Sequence, residues 1–99
     1  MDFILEERVE KARDLFRQGY NCSQSVFLAY NDLLGVESTL AATISGPLGG
    51  GMGRLREVCG AVSGMSLIAG FLAPCPDPAA RQAKAATYAL VQEFAERFR

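Results

Sequence analysis

The side chains of this sequence best suited to chemistry are three thiols, those of Cys22, Cys59 and Cys75. A thiolate is both a nucleophile and a metal ligand, and two thiols that meet exchange two electrons by forming a disulfide. The sequence contains no histidine, so neither a Cys-His nucleophilic pair nor a histidine metal ligand can form. An odd number of cysteines argues against a structural disulfide scaffold and favours free, metal-bound or redox-active thiols.

Two of the thiols are predicted to lie at helix N-termini. Cys22 follows Asn21, a helix-capping residue, and Cys59 opens a helix that follows a glycine-rich loop. Unpaired backbone N–H groups at a helix N-terminus stabilise a thiolate, and Arg54 and Arg56 add to this effect if their side chains turn toward Cys59. These positions predict that Cys22 and Cys59 carry the chemistry, either as redox thiols or as metal ligands.

The third thiol, Cys75, lies between Pro74 and Pro76 in a predicted loop. Nothing in the sequence around it favours a thiolate, so we interpret Cys75 as incidental. A single free cysteine is more often a small buried apolar residue than a reactive group. Two cysteines that each begin a helix make functional use the better interpretation for Cys22 and Cys59.

The segment before Cys59 reads GPLGGGMG over residues 46–53. Ordering so many glycines costs conformational entropy, which favours a role in bringing the backbone close to a thiol or a cluster. No strand precedes this loop and no lysine follows it, so it matches neither a dinucleotide-binding loop nor a P-loop. The glycines expected to approach the bound group are Gly50, Gly51, Gly53 and Gly60.

Five helices are predicted to position these residues. They run from Asp2, as N-cap, to about Gln18; from Asn21 to Gly35; over a short stretch from Thr39 to Ser45; from near Cys59 to about Leu72; and from Asp77, as N-cap, with Pro78 at the first helical position, to the end of the chain. No stretch alternates with the period of a strand. The sequence therefore predicts an all-α fold, a compact bundle of about five helices forming one domain over residues 1–99.

Local signals support four of these boundaries. Gly19 is placed to end the first helix in a left-handed conformation. Gln24 lies three residues after Asn21, the spacing of a capping box. Ser38 opens the short third helix and Pro47 ends it, because the residue before a proline is driven out of the helical region.

Charge and hydropathy exclude several classes of partner. Ten basic and eleven acidic residues give a net charge of −1, so nothing indicates binding to nucleic acid or to an anionic membrane. The apolar stretch from Val58 to Ala73 is shorter than the roughly 20 residues that a membrane span needs. The first residues lack the basic and apolar regions of a signal peptide, so we expect a cytoplasmic location.

Three segments, GYNCSQSV at 19–26, GGGMG at 49–53 and CGAVSG at 59–64, together resemble the C_GCAxxG_C_C family of redox-active proteins. The resemblance covers nearly the whole chain, in order and with similar spacing. It implies a small helical protein whose four cysteines serve redox chemistry or hold a metal or cluster. Cys22 matches the first family cysteine, and Cys59 matches that of the central motif, although the family name puts a glycine before that cysteine.

The other two family cysteines lie beyond the last helix and have no counterpart in this sequence, in which Cys75 precedes that helix. Three hypotheses follow. In the first, Cys22 and Cys59 serve electron transfer with an unidentified redox partner: they cycle between dithiol and disulfide or relay through a mixed disulfide. The dithiol–disulfide cycle requires their Cα atoms to lie within roughly 7 Å. In the second, the same two cysteines from each chain of a homodimer hold an iron–sulfur cluster or another metal. In the third, the chain is a non-catalytic helical interaction module.

Overall fold

The computed structural model describes residues 4–98 of the chain. Within that range six α-helices are present and no strand. They are α1 (Leu5–Arg17), α2 (Cys22–Leu28), α3 (Asn31–Leu34), α4 (Ser38–Ser45), α5 (Gly60–Leu72) and α6 (Arg81–Phe98), with a 3₁₀ turn at Gly46–Leu48. Five of the six have seven residues or more, so the predicted all-α bundle of about five helices is confirmed.

The bundle is organised around α2, which packs against α1, α4 and α5, while α6 packs on α5. Phe27 of α2 is fully buried and forms a core cluster with Leu28, Ala41 and Ile68. The most extensive contact is that between α2 and α5. This contact determines where the first residues of the two helices lie relative to each other.

Glycines of α5 allow this close contact. A Cβ atom on Gly64 would lie 2.9 Å from the Ser23 carbonyl oxygen and 3.0 Å from the Val26 Cβ, whereas one on Gly70 would meet no atom within 4 Å. Glycine inside a helix costs about 1 kcal/mol relative to alanine. At Gly64, one turn beyond Gly60, the close approach of α2 offsets that cost.

The predicted helix ends around α2 are confirmed. The Asn21 side chain accepts a hydrogen bond from the Gln24 N–H (2.9 Å), and the Gln24 side chain accepts one from the Asn21 N–H (3.0 Å), which completes the capping box. Gly19 has a φ of 107°. The Tyr20 N–H donates to the Leu15 carbonyl at 3.2 Å, the bond that defines a Schellman end for α1.

The predicted helix from Asn21 to Gly35 is two helices, because tertiary hydrogen bonds interrupt it. Tyr30 has φ −127° and ψ −4°, outside the helical region. The Ala29 carbonyl accepts a bond from Arg8 of α1 (3.0 Å). The buried Asn31 side chain donates to the Val36 carbonyl (2.8 Å). These two hydrogen bonds connect the region between α2 and α3 to α1 and to the segment before α4.

Other helix starts also differ from the predictions. The predicted start of the last helix at Asp77 and Pro78 is wrong, because the Asp77 carboxylate accepts a bond from the Ala79 N–H (2.9 Å) in a turn, and α6 begins at Arg81. Helix α4 begins at Ser38, and its cap is the preceding carboxylate of Glu37. The predicted Asp2 cap lies outside the described residues.

The described part of the chain contains no helix that is both long and apolar enough to cross a membrane. This holds for α5, which occupies most of the longest apolar stretch of the sequence.

Candidate thiol site

Cys22 and Cys59 occupy the beginnings of the two helices that pack most closely. Cys22 is the first residue of α2 and is partly buried, and Cys59 is the N-cap residue of α5 and is exposed. Both thiols are free, and the Cys59 side chain makes no capping hydrogen bond. The predicted helix-terminal positions of both cysteines are therefore observed.

The Cys22 sulfur lies directly against Gly60. A Cβ atom on Gly60 would collide with the Cys22 Sγ, and it would also lie 3.2 Å from the Ser23 amide nitrogen and 3.3 Å from the Leu48 carbonyl oxygen. Gly60 is the residue that follows Cys59. The Cys22 sulfur is thus in contact with the chain neighbour of Cys59, and only glycine leaves room for it.

Cys22 and Cys59 both line one cavity, which has a volume of 410 Å³. The residues that line it are Cys22, Gly50, Gly51, Arg56, Val58, Cys59 and Gly60. The structure therefore brings together both predicted cysteines and three of the four predicted glycines. Gly53 does not line the cavity.

The glycine-rich loop has an ordered left-handed backbone. Positive φ angles occur at Gly50, Gly51 and Gly53, and also at three residues with side chains: Met52 (68°), Arg54 (64°) and Arg56 (58°). A positive φ costs a residue with a side chain of order 1 kcal/mol, and this conformation persists only where surrounding contacts hold it. Here the N–H groups of residues 52–57 all donate to carbonyls of residues 47–52. They are engaged within the loop, so it does not offer them to an anion.

Asn21 joins this loop to α2. Its side-chain Nδ2 donates to the Gly46 carbonyl (2.9 Å), while its oxygen caps the helix that begins at Cys22. A Cβ atom on Gly49 would collide with the Asn21 side chain. The capping residue of α2 therefore also positions the loop that forms one wall of the cavity.

Arg56 supplies the only charged side chain among the residues that line the cavity. Its N–H donates to the Gly50 carbonyl (3.2 Å), and the Glu57 N–H donates to that of Gly51 (3.0 Å). No ion pair of Arg56 occurs among residues 4–98. Arg54, which the sequence placed beside it as a second cation near Cys59, does not line the cavity.

Cys75 lies apart from this site. It lines a different cavity of 690 Å³ between the end of α5 and the start of α6. Its thiol donates to the carbonyls of Asp77 and Ala80, both at 3.6 Å. The structure does not bring Cys75 together with Cys22 and Cys59.

No pattern in the sequence distinguishes Ser23, the residue after Cys22. Its side chain is fully buried, and its hydroxyl oxygen has no hydrogen-bond partner in the described part of the chain. A serine in the first turn of a helix is expected to form a local hydrogen bond to the backbone. Only the contact of α2 with α5 shows that this hydroxyl is enclosed.

The donor set at this site does not fit a four-ligand metal centre or cluster within one chain. Among residues 4–98, no three cysteine, aspartate or glutamate side chains lie close enough to hold a metal ion together. Cys22 and Cys59 are two donors, whereas structural zinc and iron–sulfur sites take four.

A comparison with protein families identifies the family of this chain. The model of the family described as "Putative redox-active protein (C_GCAxxG_C_C)" matches residues 20–99, about four fifths of the chain. The match includes both cysteines of the cavity and the glycine-rich loop between α4 and α5. No curated protein and no solved structure matched the chain.

Proposed function

This chain belongs to the C_GCAxxG_C_C family of redox-active proteins, and we propose that its redox chemistry is thiol–disulfide exchange through Cys22 and Cys59. The observation that carries the proposal is the contact of the Cys22 sulfur with Gly60, the chain neighbour of Cys59. A disulfide needs Cα atoms within about 7 Å, and Cys59 is one residue away from this contact.

In the proposed reaction the two cysteines have different roles. Cys59 is the more exposed, so its thiolate attacks one sulfur of a partner disulfide, forms a mixed disulfide and releases the first partner thiolate. The Cys22 thiolate then attacks the Cys59 sulfur, which forms the Cys22–Cys59 disulfide and releases the second. Two electrons pass to the partner disulfide, and the two cysteine protons pass to the two released thiolates.

We propose that this exchange takes place in the cytoplasm, because cytoplasmic reductants return such a pair to the dithiol. The reaction is reversible, so a partner dithiol that attacks the Cys22–Cys59 disulfide restores both thiols. Cys75, in its separate cavity, takes no part.

The test is to identify the disulfide. The reduced protein is treated with a small disulfide, its remaining thiols are alkylated, and peptides are analysed by mass spectrometry. We expect one intramolecular disulfide between Cys22 and Cys59 in the wild type and in Cys75→Ser, the matched control. Cys22→Ser should stop at the mixed disulfide on Cys59, because the second attack is lost. Cys59→Ser should stay reduced, because the first attack is lost.

Three results would contradict the proposal. One is complete alkylation of Cys22 and Cys59 after the disulfide treatment, which would favour a non-catalytic role. Another is a disulfide that joins Cys75 to either cysteine. The third is stoichiometric iron or zinc in anaerobically purified dimers, lost in both Cys22→Ser and Cys59→Ser, which would favour a metal site shared between two chains.

A further inference from the structure

The cavity that holds both thiols has the size of a small-molecule site. Its volume of 410 Å³ lies within the roughly 300–1,000 Å³ typical of ligand pockets. Three of its lining residues, Gly50, Gly51 and Gly60, present backbone without side chains. The wall beside the two cysteines is therefore formed largely by backbone.

Arg56 is the one charged residue among those that line the cavity. A guanidinium presents N–H donors in a planar fork that matches the two oxygens of a carboxylate. Within residues 4–98 no carboxylate forms an ion pair with Arg56. The exposed guanidinium is therefore available to a ligand.

The loop holds Arg56 in place at a conformational cost. Its φ of 58° is one that residues with side chains rarely adopt. The backbone at this position is fixed by the bond from its N–H to Gly50 and by Gly51, where a Cβ atom would collide with the Arg56 backbone. A residue with a large charged side chain is kept where a glycine would be unstrained, as at many functional sites.

Resting on the proposed function, we infer that the disulfide reduced at this site is a small molecule with a carboxylate near its sulfur atoms, and that Arg56 determines this specificity by binding the carboxylate. The attack by Cys59 on such a disulfide releases one carboxylate-bearing thiol. The attack by Cys22 on the mixed disulfide releases the other. Two cysteine thiols are oxidised to one disulfide, and one substrate disulfide is reduced to two thiols, so atoms and electrons balance.

The experiment compares three small disulfides in single-turnover reactions with the reduced protein. The probes are 3,3′-dithiodipropionate, which carries carboxylates, bis(2-hydroxyethyl) disulfide, which is neutral, and cystamine, which carries ammonium groups. The rate of Cys22–Cys59 disulfide formation is followed by alkylation and mass spectrometry. Each rate is divided by the rate of the same probe with free 2-mercaptoethanol, which removes differences in intrinsic reactivity.

We expect the normalised rate for dithiodipropionate to exceed that for the neutral probe by about tenfold, the effect of one charge-assisted hydrogen bond. Arg56→Gln should abolish this preference, so that the normalised rates for dithiodipropionate and for the neutral probe become equal. Arg54→Gln is the matched control, since Arg54 has nearly the same φ (64°) in the same loop but does not line the cavity. It should retain the preference, and circular dichroism checks that both variants fold.

Each outcome separates the inference from the proposed function. If the Cys22–Cys59 disulfide forms at equal normalised rates with all three probes, the substrate class is wrong and the exchange function stands. The specificity role of Arg56 is overturned if Arg56→Gln and Arg54→Gln behave alike. A failure of all three probes to produce the disulfide would overturn the proposed function itself.

Discussion

Position 60 accommodates a hydrogen atom and nothing larger. The Cys22 sulfur lies on one side, and the Ser23 amide and the Leu48 carbonyl lie 3.2 and 3.3 Å from where a Cβ atom would be. Two of these neighbours are backbone atoms, which a rotamer change cannot move. The first turn of α5 can therefore pack in this way only because residue 60 has no Cβ atom.

Gly60→Ala should destabilise the protein by about 1–3 kcal/mol, the usual cost of forcing extra volume into a packed site. The same change should alter the rate at which Cys22 is alkylated, because the sulfur must move. Urea denaturation followed by circular dichroism gives the free energy of unfolding. Alkylation with iodoacetamide gives the reactivity.

The matched control is Gly70→Ala in the same helix, where a Cβ atom meets nothing within 4 Å. It should stabilise the protein by up to about 1 kcal/mol, the difference in helix propensity between the two residues. Equal effects of Gly60→Ala and Gly70→Ala on stability and on Cys22 alkylation would refute the contact described here.

Among the elements, α1 is attached to α3 through Arg8 and Lys11, and Arg8 also bonds to the end of α2. Arg8 of α1 donates to the Asp32 carboxylate (2.6 Å) and to the Ala29 carbonyl (3.0 Å). The hydrogen bond from Arg8, together with the nearby charge of Lys11, lowers the pKa of Asp32 from 3.8 to about 2. The folded state therefore favours the ionised carboxylate.

This shift predicts a loss of stability in acid. A lowered pKa contributes stability above the unfolded value near 4, and that contribution is lost as the pH falls from about 4 to about 2. Because the Asp32 side chain is 51% exposed, solvent screening limits the effect to about 1 kcal/mol or less. Urea denaturation at a series of pH values between 2 and 6 measures it.

Asp32→Asn is the control, because it cannot titrate. Glu37, whose pKa is lowered by hydrogen bonds from the Thr39 and Leu40 N–H groups, contributes in the same direction in both proteins. The informative quantity is therefore the difference between wild type and Asp32→Asn. A difference that does not change between pH 5 and pH 2 would show that the Arg8–Asp32 pair has no effect on folding.

At the scale of the whole molecule, the helices differ in how firmly they are held. Helix α2 contributes Phe27 and Leu28 to the core, whereas α6 has no buried residue and packs on α5. One side-chain bond, from the Thr87 hydroxyl to the Ala73 carbonyl, links α6 to the end of α5. Local opening should therefore cost less for α6 than for the pair of helices that carries the thiols.

Hydrogen exchange followed by mass spectrometry should show faster exchange in peptides from α6 than in peptides from α2 and α5. Leu90→Ala in α6, a partly exposed position, should accelerate exchange in α6 while leaving exchange at the start of α2 unchanged. Equal protection of α6 and α2 would mean that the two open together, and it would contradict this ranking.

The sequence was sufficient where local chemistry decides the structure. Asn21 and Gln24 complete their capping box with each other, and Gly19 ends α1 as its residue type predicts. The all-α fold follows from the same local patterns. The positions of Cys22 and Cys59 at the starts of two helices could be predicted for this reason.

Tertiary contacts decided what the sequence could not predict. The break after Leu28 depends on Arg8, about twenty residues earlier in the chain. The residue pattern of α2 alone therefore cannot predict where this helix ends. The left-handed conformation of Arg54 and Arg56 follows from their bonds to Gly49 and Gly50, because their residue type disfavours it. The cavity requires both the loop and the contact of α2 with α5.

The contact between α2 and α5 joins residues that are far apart in the chain. A disulfide between Cys22 and Cys59 would enclose α3, α4 and the glycine-rich loop in a covalent ring. Loop-closure entropy predicts that a ring of this size stabilises the fold by about 4 kcal/mol. By thermodynamic linkage, folding shifts the equilibrium between the two thiols and the disulfide toward the disulfide by the same amount, relative to the unfolded chain. Oxidation of the two thiols would then raise the free energy of unfolding, and unfolding would make the disulfide easier to reduce.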